Sequence, residues 1–234
     1  MKKTILLSLM TLISVSLMSQ DLATIISKHE KAIGMDAMNK VKTAKIEAVM
    51  SSMGMEMKMT MYEKQPDKIR NEIEMTGMNM QIVTVINGDK GYMINPMMGS
   101  SEPTPLDEMT LASAKNQRII GSSIARQMQE GKVSLVGDSE YEGKAAFKIK
   151  IETEAGPAYM YIDKKDYLVR ATEMEVSQMG QTYNTTIKMD DYRDVNGIKL
   201  AHKMITNAAG QDMVLTYTKV EMDIPLPDSL FEVK

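Results

Sequence analysis

From residue 55 the chain alternates with a period of two. Met55, Met57, Met59 and Met61 fall on one side of an extended strand, and Glu56, Lys58, Thr60 and Tyr62 fall on the other. Strict alternation is the mark of a sheet with one apolar face. The pattern recurs along the chain. Ile46, Ala48 and Met50 alternate just before it. Ile69, Ile73 and Met75 lead into Thr76-Gly77, and Met78, Met80 and Ile82 lead out. Asn87-Gly88-Asp89 and Asn196-Gly197 are hairpin signatures, and Met179-Gly180 reads as a further turn. Ala145, Phe147, Ile149 and Ile151 alternate again, as do Tyr183, Thr185, Ile187 and Met189. Stretches 159–162, 167–176, 198–205 and 212–222 complete the series. About eleven short strands joined by Gly turns predict an antiparallel meander.

Two stretches break the period. Residues 21–44 carry Leu22, Ile25, Ile26 and Ile33 at helical spacing. Thr104, Pro105, Asp107 and Glu108 supply a cap, a first-turn Pro and first-turn acids for helix running to about residue 130. A break is expected near Gly121, with Ser122 as a second cap. No linker divides the chain. The expectation is one α+β, mainly β domain: a strongly curved sheet whose concave face is covered by helices.

Met1-Lys2-Lys3, an uncharged and mostly apolar stretch over 4–18, and polar Ser19-Gln20-Asp21 have the layout of a secretory signal peptide. The apolar run is too short for a comfortable membrane span. The expectation is a signal peptide over 1–19, a domain over 20–234 and a periplasmic location; cleavage after Gln20 and an uncleaved anchor are the alternatives. No Cys follows the apolar run, so the mature chain is not lipidated on Cys. Losing Lys2 and Lys3 leaves 26 cations against 31 acids, a mature charge of about −5. That balance makes a poor nucleic-acid binder.

Catalytic signatures are missing. With no Cys there are no disulfides, thiolate metal sites or Cys nucleophiles. The two histidines, His29 and His202, sit on different predicted elements and read as exposed or locally bonded. No GxSxG, GxxxxGK or GxGxxG occurs. Asp194-Val195-Asn196-Gly197 imitates part of a calcium loop, but Tyr192 and Lys203 would occupy its end positions, so a hairpin turn explains it better. The expectation is a protein that is not an enzyme, with no cofactor and no metal site.

Methionine carries what remains. It supplies 26 residues, about a ninth of the chain, whereas Trp is absent and Phe and Tyr total 11. Three readings follow. Methionine fills a solid core supporting a structural or regulatory envelope domain. Or its thioethers capture Cu(I); since residues i and i+2 of one strand lie about 6.6–7 Å apart, such a site needs Met from neighbouring strands. Or the stripes line an adaptable apolar cavity, because Met repacks around varied greasy shapes. A tail of roughly sixteen carbons, at ~0.8 kcal/mol per CH₂, costs on the order of 12 kcal/mol to leave in water. The cavity reading leads. Its expected lining is Met55, Met57, Met59, Met61, Ile73, Met75, Met78, Met80 and Ile82, with Phe147, Ile149 and Met174.

The order of elements resembles the LolA/LolB-like superfamily of periplasmic lipoprotein carriers. The stretch from Tyr62 through Pro66 to Ile69-Arg70 looks like that superfamily's strand passage before and after its Pro. Asn87-Gly88-Asp89-Lys90-Gly91-Tyr92 with Asn95-Pro96 looks like its Asn/Asp-Gly hairpin. Val136-Gly137, Gly143-Lys144-Ala145, Tyr161-Ile162-Asp163 and Asp228-Ser229-Leu230-Phe231 are similar to its C-terminal half. The resemblance spans the whole mature chain. It implies an incomplete antiparallel β-barrel of about eleven strands with a helical lid over the concave face. It implies a monomeric, non-catalytic carrier that takes lipoprotein acyl chains or lipid from an inner-membrane ABC transporter to an outer-membrane acceptor. Carriers often have Arg before that Pro, linked to the lid and to ligand transfer; here Gln65 holds the position. Methionine also replaces the aromatics common in the superfamily's cavity.

Overall fold

The computed structural model describes residues 21–232 except 79, 117, 121–123, 154, 155, 179, 180 and 209. The expected signal peptide, the break at Gly121 and Ser122, and the turn at Met179-Gly180 lie outside the described residues. Helices are α1 (Leu22–Ile33), α2 (Met35–Met38), α3 (Glu108–Asn116) and α4 (Ile124–Gln129). The first six strands are β1 (Thr43–Ser52), β2 (Met55–Lys64), β3 (Lys68–Met75), β4 (Met80–Asn87), β5 (Lys90–Asn95) and β6 (Ser100–Pro105). Seven more follow: β7 (Val133–Tyr141), β8 (Lys144–Thr153), β9 (Gly156–Asp163), β10 (Val169–Gln178), β11 (Gln181–Val195), β12 (Ile198–Ala208) and β13 (Gln211–Met222).

All thirteen strands join one antiparallel sheet, in the order β6-β5-β4-β3-β2-β1-β13-β12-β11-β10-β9-β8-β7. Two meanders are thus welded where the first strand pairs with the last, Ala44 opposite Met222 and Ser52 opposite Met213. The sheet curves into a half-barrel and does not close. β6 and β7 are its two edges. Consequently the segment between them, with α3 and α4, carries the chain from one edge to the other.

Three expectations are corrected. The strand count is thirteen rather than about eleven. One added strand is β7, whose half-buried and exposed residues alternate around Gly137. The other is β6: Thr104 and Pro105 pair with Met93 and Tyr92 instead of starting a helix. The cap of α3 is Asp107, which accepts from the Thr110 backbone N–H at 2.8 Å and its hydroxyl at 2.9 Å. Lastly, the helix expected over 21–44 stops at Gly34, which takes the left-handed conformation (φ 75°). A short turn, α2, follows, and strand begins at Thr43.

The inner face is filled unevenly. Ile25 and Ile26 of α1 pack with Phe147, Ile149, Ile151, Ile162 and Val169, burying the β7–β10 side. Met35 and Met38 of α2, with Ile120, cover Ala44, Ile198 and Leu200. Ile119 reaches the middle cluster of Ile46, Ala48 and Tyr217. On the far side α3 sits flush against β5. A Cβ on Gly91 would lie 2.8 Å from Leu106 and 2.9 Å from Leu111.

Strand alternation puts Val83 and Val85 on the opposite, outer face. There the C-terminal tail folds back, and Phe231 is buried against them with Tyr62 and Ile94 partly covered. Polar side chains hold the tail down. Thr43 donates to Ile224 O at 2.6 Å, Lys64 to Leu226 O at 2.9 Å and Arg70 to Leu230 O at 3.2 Å. A cleft of about 410 Å³ lies between the tail and β3–β5.

Candidate functional site

Sheet register gathers methionines that are far apart in sequence. Met189 of β11 stands opposite Met204 of β12, and Met204 opposite Leu215 of β13. Leu215 pairs with Met50 of β1, Met50 with Met57 of β2, Met57 with Met75 of β3, and Met75 with Met80 of β4. One transverse row of six methionines and a leucine therefore crosses seven neighbouring strands on the inner face. Directly opposed side chains have Cβ atoms ~5 Å apart, within easy thioether contact.

Cover over this row changes along its length. Met189, Met204 and Leu215 are packed onto buried clusters. Met50, Met57, Met75 and Met80 are half-buried, their remaining surface open to solvent. The next row toward the hairpin tips holds Met213, Ser52 and Met55; Met213 is 36% and Met55 55% exposed. The next row inward holds Ala48, Met59, Ile73 and Ile82. Met59 and Met61 close onto the cluster around Ile46. The result is an apolar floor on β1–β4, backed by core at the strand bases and open toward the tips.

The expected lining residues separate into groups. Met57, Met75 and Met80 share the central row, and Met59, Ile73 and Ile82 share the inner one. Met55 and Met78 stand at the tips, Met78 being 53% exposed. Phe147 and Ile149 lie elsewhere, beneath α1, and are 6% and 0% exposed. Met174 is half-buried on β10, opposite Thr185 and Ala158, five strands away from β2.

A polar latch at the strand bases fixes the crossing segment. Glu63 continues the parity of the β2 methionines and so points inward. Its two carboxylate oxygens accept the backbone N–H groups of Ile119 at 2.8 Å and Ile120 at 3.0 Å. Burial pushes this carboxyl above its ordinary value, opposed by those two amides and by Arg118. Burial, reinforced by the Glu63 charge, pushes the neighbouring Tyr217 phenol up to about 12. Gln65, the expected lid position, donates to Val41 O at 3.0 Å. The lid's own Arg118 donates to Pro66 O, so the arginine at this junction comes from the crossing segment instead of the strand.

Sequence reasoning missed Glu63, Arg118, Met50, Met189 and Met204. Glu63 was detectable as the single acid on the apolar parity that begins at Met55. The cross-strand row was not, because it depends on register between strands distant in sequence. Both histidines are buried and bonded to carbonyls, His29 Nδ1 to Tyr167 O at 2.8 Å and His202 Nδ1 to Leu200 O at 3.0 Å. Among the described residues no three His, Cys, Asp or Glu side chains gather as a metal site. No helix of the described residues is long and apolar enough to cross a membrane.

No protein-family model matches this sequence, and no curated protein does. Solved structures do. A LolA superfamily protein from Nitrosomonas europaea is 14% identical, with a TM-score of 0.60, over 92% of this chain and 98% of its own. A protein domain from Vibrio parahaemolyticus, named for outer-membrane lipoprotein sorting, is 14% identical with a TM-score of 0.58, over 88% of this chain and 97% of its own. A DUF1329 family protein from Desulfovibrio piger is 15% identical with a TM-score of 0.60, over 91% and 98%. The chain has the LolA-like fold across its described length.

Proposed function

We propose that this chain is a non-catalytic carrier that holds lipid or lipoprotein acyl chains on the methionine floor of β1–β4. The observation that carries the reading is the half-open central row, Met50, Met57, Met75 and Met80, on the concave face. A monomeric protein whose task was only to fold has little reason to leave an apolar inner face uncovered. Unbranched thioethers repack around flexible tails. The Vibrio parahaemolyticus neighbour, named for lipoprotein sorting, supports an outer-membrane-directed cargo. In this reading the carrier is exported to the periplasm, accepts cargo from an inner-membrane transporter and yields it to an outer-membrane acceptor. Because α1 fills the β7–β10 side, cargo lies on β1–β4 and enters from the hairpin tips.

Lipid extraction and mass spectrometry of gently purified protein should reveal bound acyl lipid, and a fluorescent fatty acid should be displaced by it. Met57→Asp and Met75→Asp should each weaken that binding at least tenfold while the circular dichroism spectrum is kept. A lipid-free protein that also ignores the fluorescent probe overturns the reading.

A further inference from the structure

We propose that the central row also takes up a soft monovalent cation, Cu(I) or its analogue Ag(I), through thioether sulfurs alone. Thioethers are soft, uncharged donors that select Cu(I). A strand by itself cannot build such a site, since its same-face residues lie too far apart. Register supplies the missing neighbours. Met50 and Met75 flank Met57 directly on both sides, and Met80 stands next to Met75. With Cβ atoms ~5 Å apart, the outer two side chains can lean inward over Met57 and meet one ion. The concave curvature of the half-barrel tilts neighbouring side chains toward one another, favouring that convergence.

Access and charge agree with this. All four methionines are half-buried, so each keeps part of its surface open to solvent. The adjacent charged residues Glu56, Lys58 and Glu74 have the opposite strand parity and point to the outer face. The donor set is therefore neutral, which suits a monovalent ion and offers nothing to a hard divalent one. No donor has a proton to lose. Uptake should thus be flat with pH from 5 to 8, unlike a thiolate or imidazole site.

The test is titration of delipidated full-length mature protein with Ag(I), followed by native mass spectrometry and by methyl NMR of ¹³C-methyl methionine. One equivalent should bind, shifting the methyl signals of Met50, Met57 and Met75. Met57→Leu and Met75→Leu, near-isosteric changes, should each weaken uptake at least tenfold. Met109→Leu, on an exposed α3 side chain, should leave it unchanged. Cu(I) should compete with Ag(I), and Zn(II) should not. Absence of uptake overturns the proposal, as does uptake that survives the Met57→Leu/Met75→Leu double variant or that tracks pH. Lipid binding is read separately by fatty-acid displacement, so failure of either idea is visible without the other.

Discussion

Gly34 ends α1 in the left-handed region, φ 75°, with its α-carbon pressed against the β11–β12 turn. A Cβ there would lie 2.0 Å from Gly197 O, so an alanine must move backbone as well as adopt an unfavourable φ. Gly34→Ala should cost at least the roughly 1–2 kcal/mol of the left-handed conformation, read as a lower urea midpoint. The sequence pattern ran helix past this residue because apolar spacing alone does not register a contact with residue 197. His29 is a second residue-scale case. Its Nδ1 faces Tyr167 O, and burial lowers its basicity below the ordinary 6.5. A depressed folded value means that the unfolded chain takes the proton first. The His29 contribution is therefore present above about pH 6.5 and is lost as pH falls through the lower folded value. Thermal melting from pH 8 to 5 should show this loss, and His29→Gln should flatten it.

At the scale of elements, Glu63 makes two of the polar contacts that hold the segment linking β6 to β7. Glu63→Ala leaves two backbone N–H groups without their acceptors, at a cost of about 1–3 kcal/mol if they stay buried. Hydrogen exchange at the Ile119 and Ile120 amides should accelerate at least tenfold, with the strand amides of β1 and β13 little changed. The pH dependence has the opposite sense to that of His29. Burial raises the Glu63 value in the folded state, so its contribution is greatest below the ordinary carboxyl value of 4.5 and declines as pH rises through the raised one. Glu63→Gln should remove that slope from the melting curve. The latch did not follow from local propensity, nor did the place where α3 starts. Thr104-Pro105 has the composition of a helix start, but pairing with β5 outweighs it, and Asp107 caps instead.

Over the whole molecule, the pairing of β1 with β13 makes one sheet of two meanders, and the C-terminal tail braces its outer face. Phe231, 1% exposed, is the anchor of that brace. Phe231→Ala should cost about 3–5 kcal/mol by cavity formation, measured by denaturant unfolding. Cargo binding on the inner face should survive in the fraction that remains folded, because the tail and the methionine floor lie on opposite sides of the strands. The same separation places the 410 Å³ outer cleft away from the proposed ligand floor.

Alternation with a period of two determined, from sequence alone, that this chain forms a sheet and that Met55, Met57, Met59 and Met61 lie on one side of their strand. Local chemistry carries that information, since strand geometry sends every second side chain the same way. Which strands become neighbours, and which stretch of the apolar face a helix covers, only the tertiary structure decided. Phe147 and Ile149 have the same alternating signature as Met57 and Met75, yet α1 buries the first pair while the second stays half-open. Periodicity fixes the direction of a side chain; what meets it there is set by contacts between residues far apart along the chain.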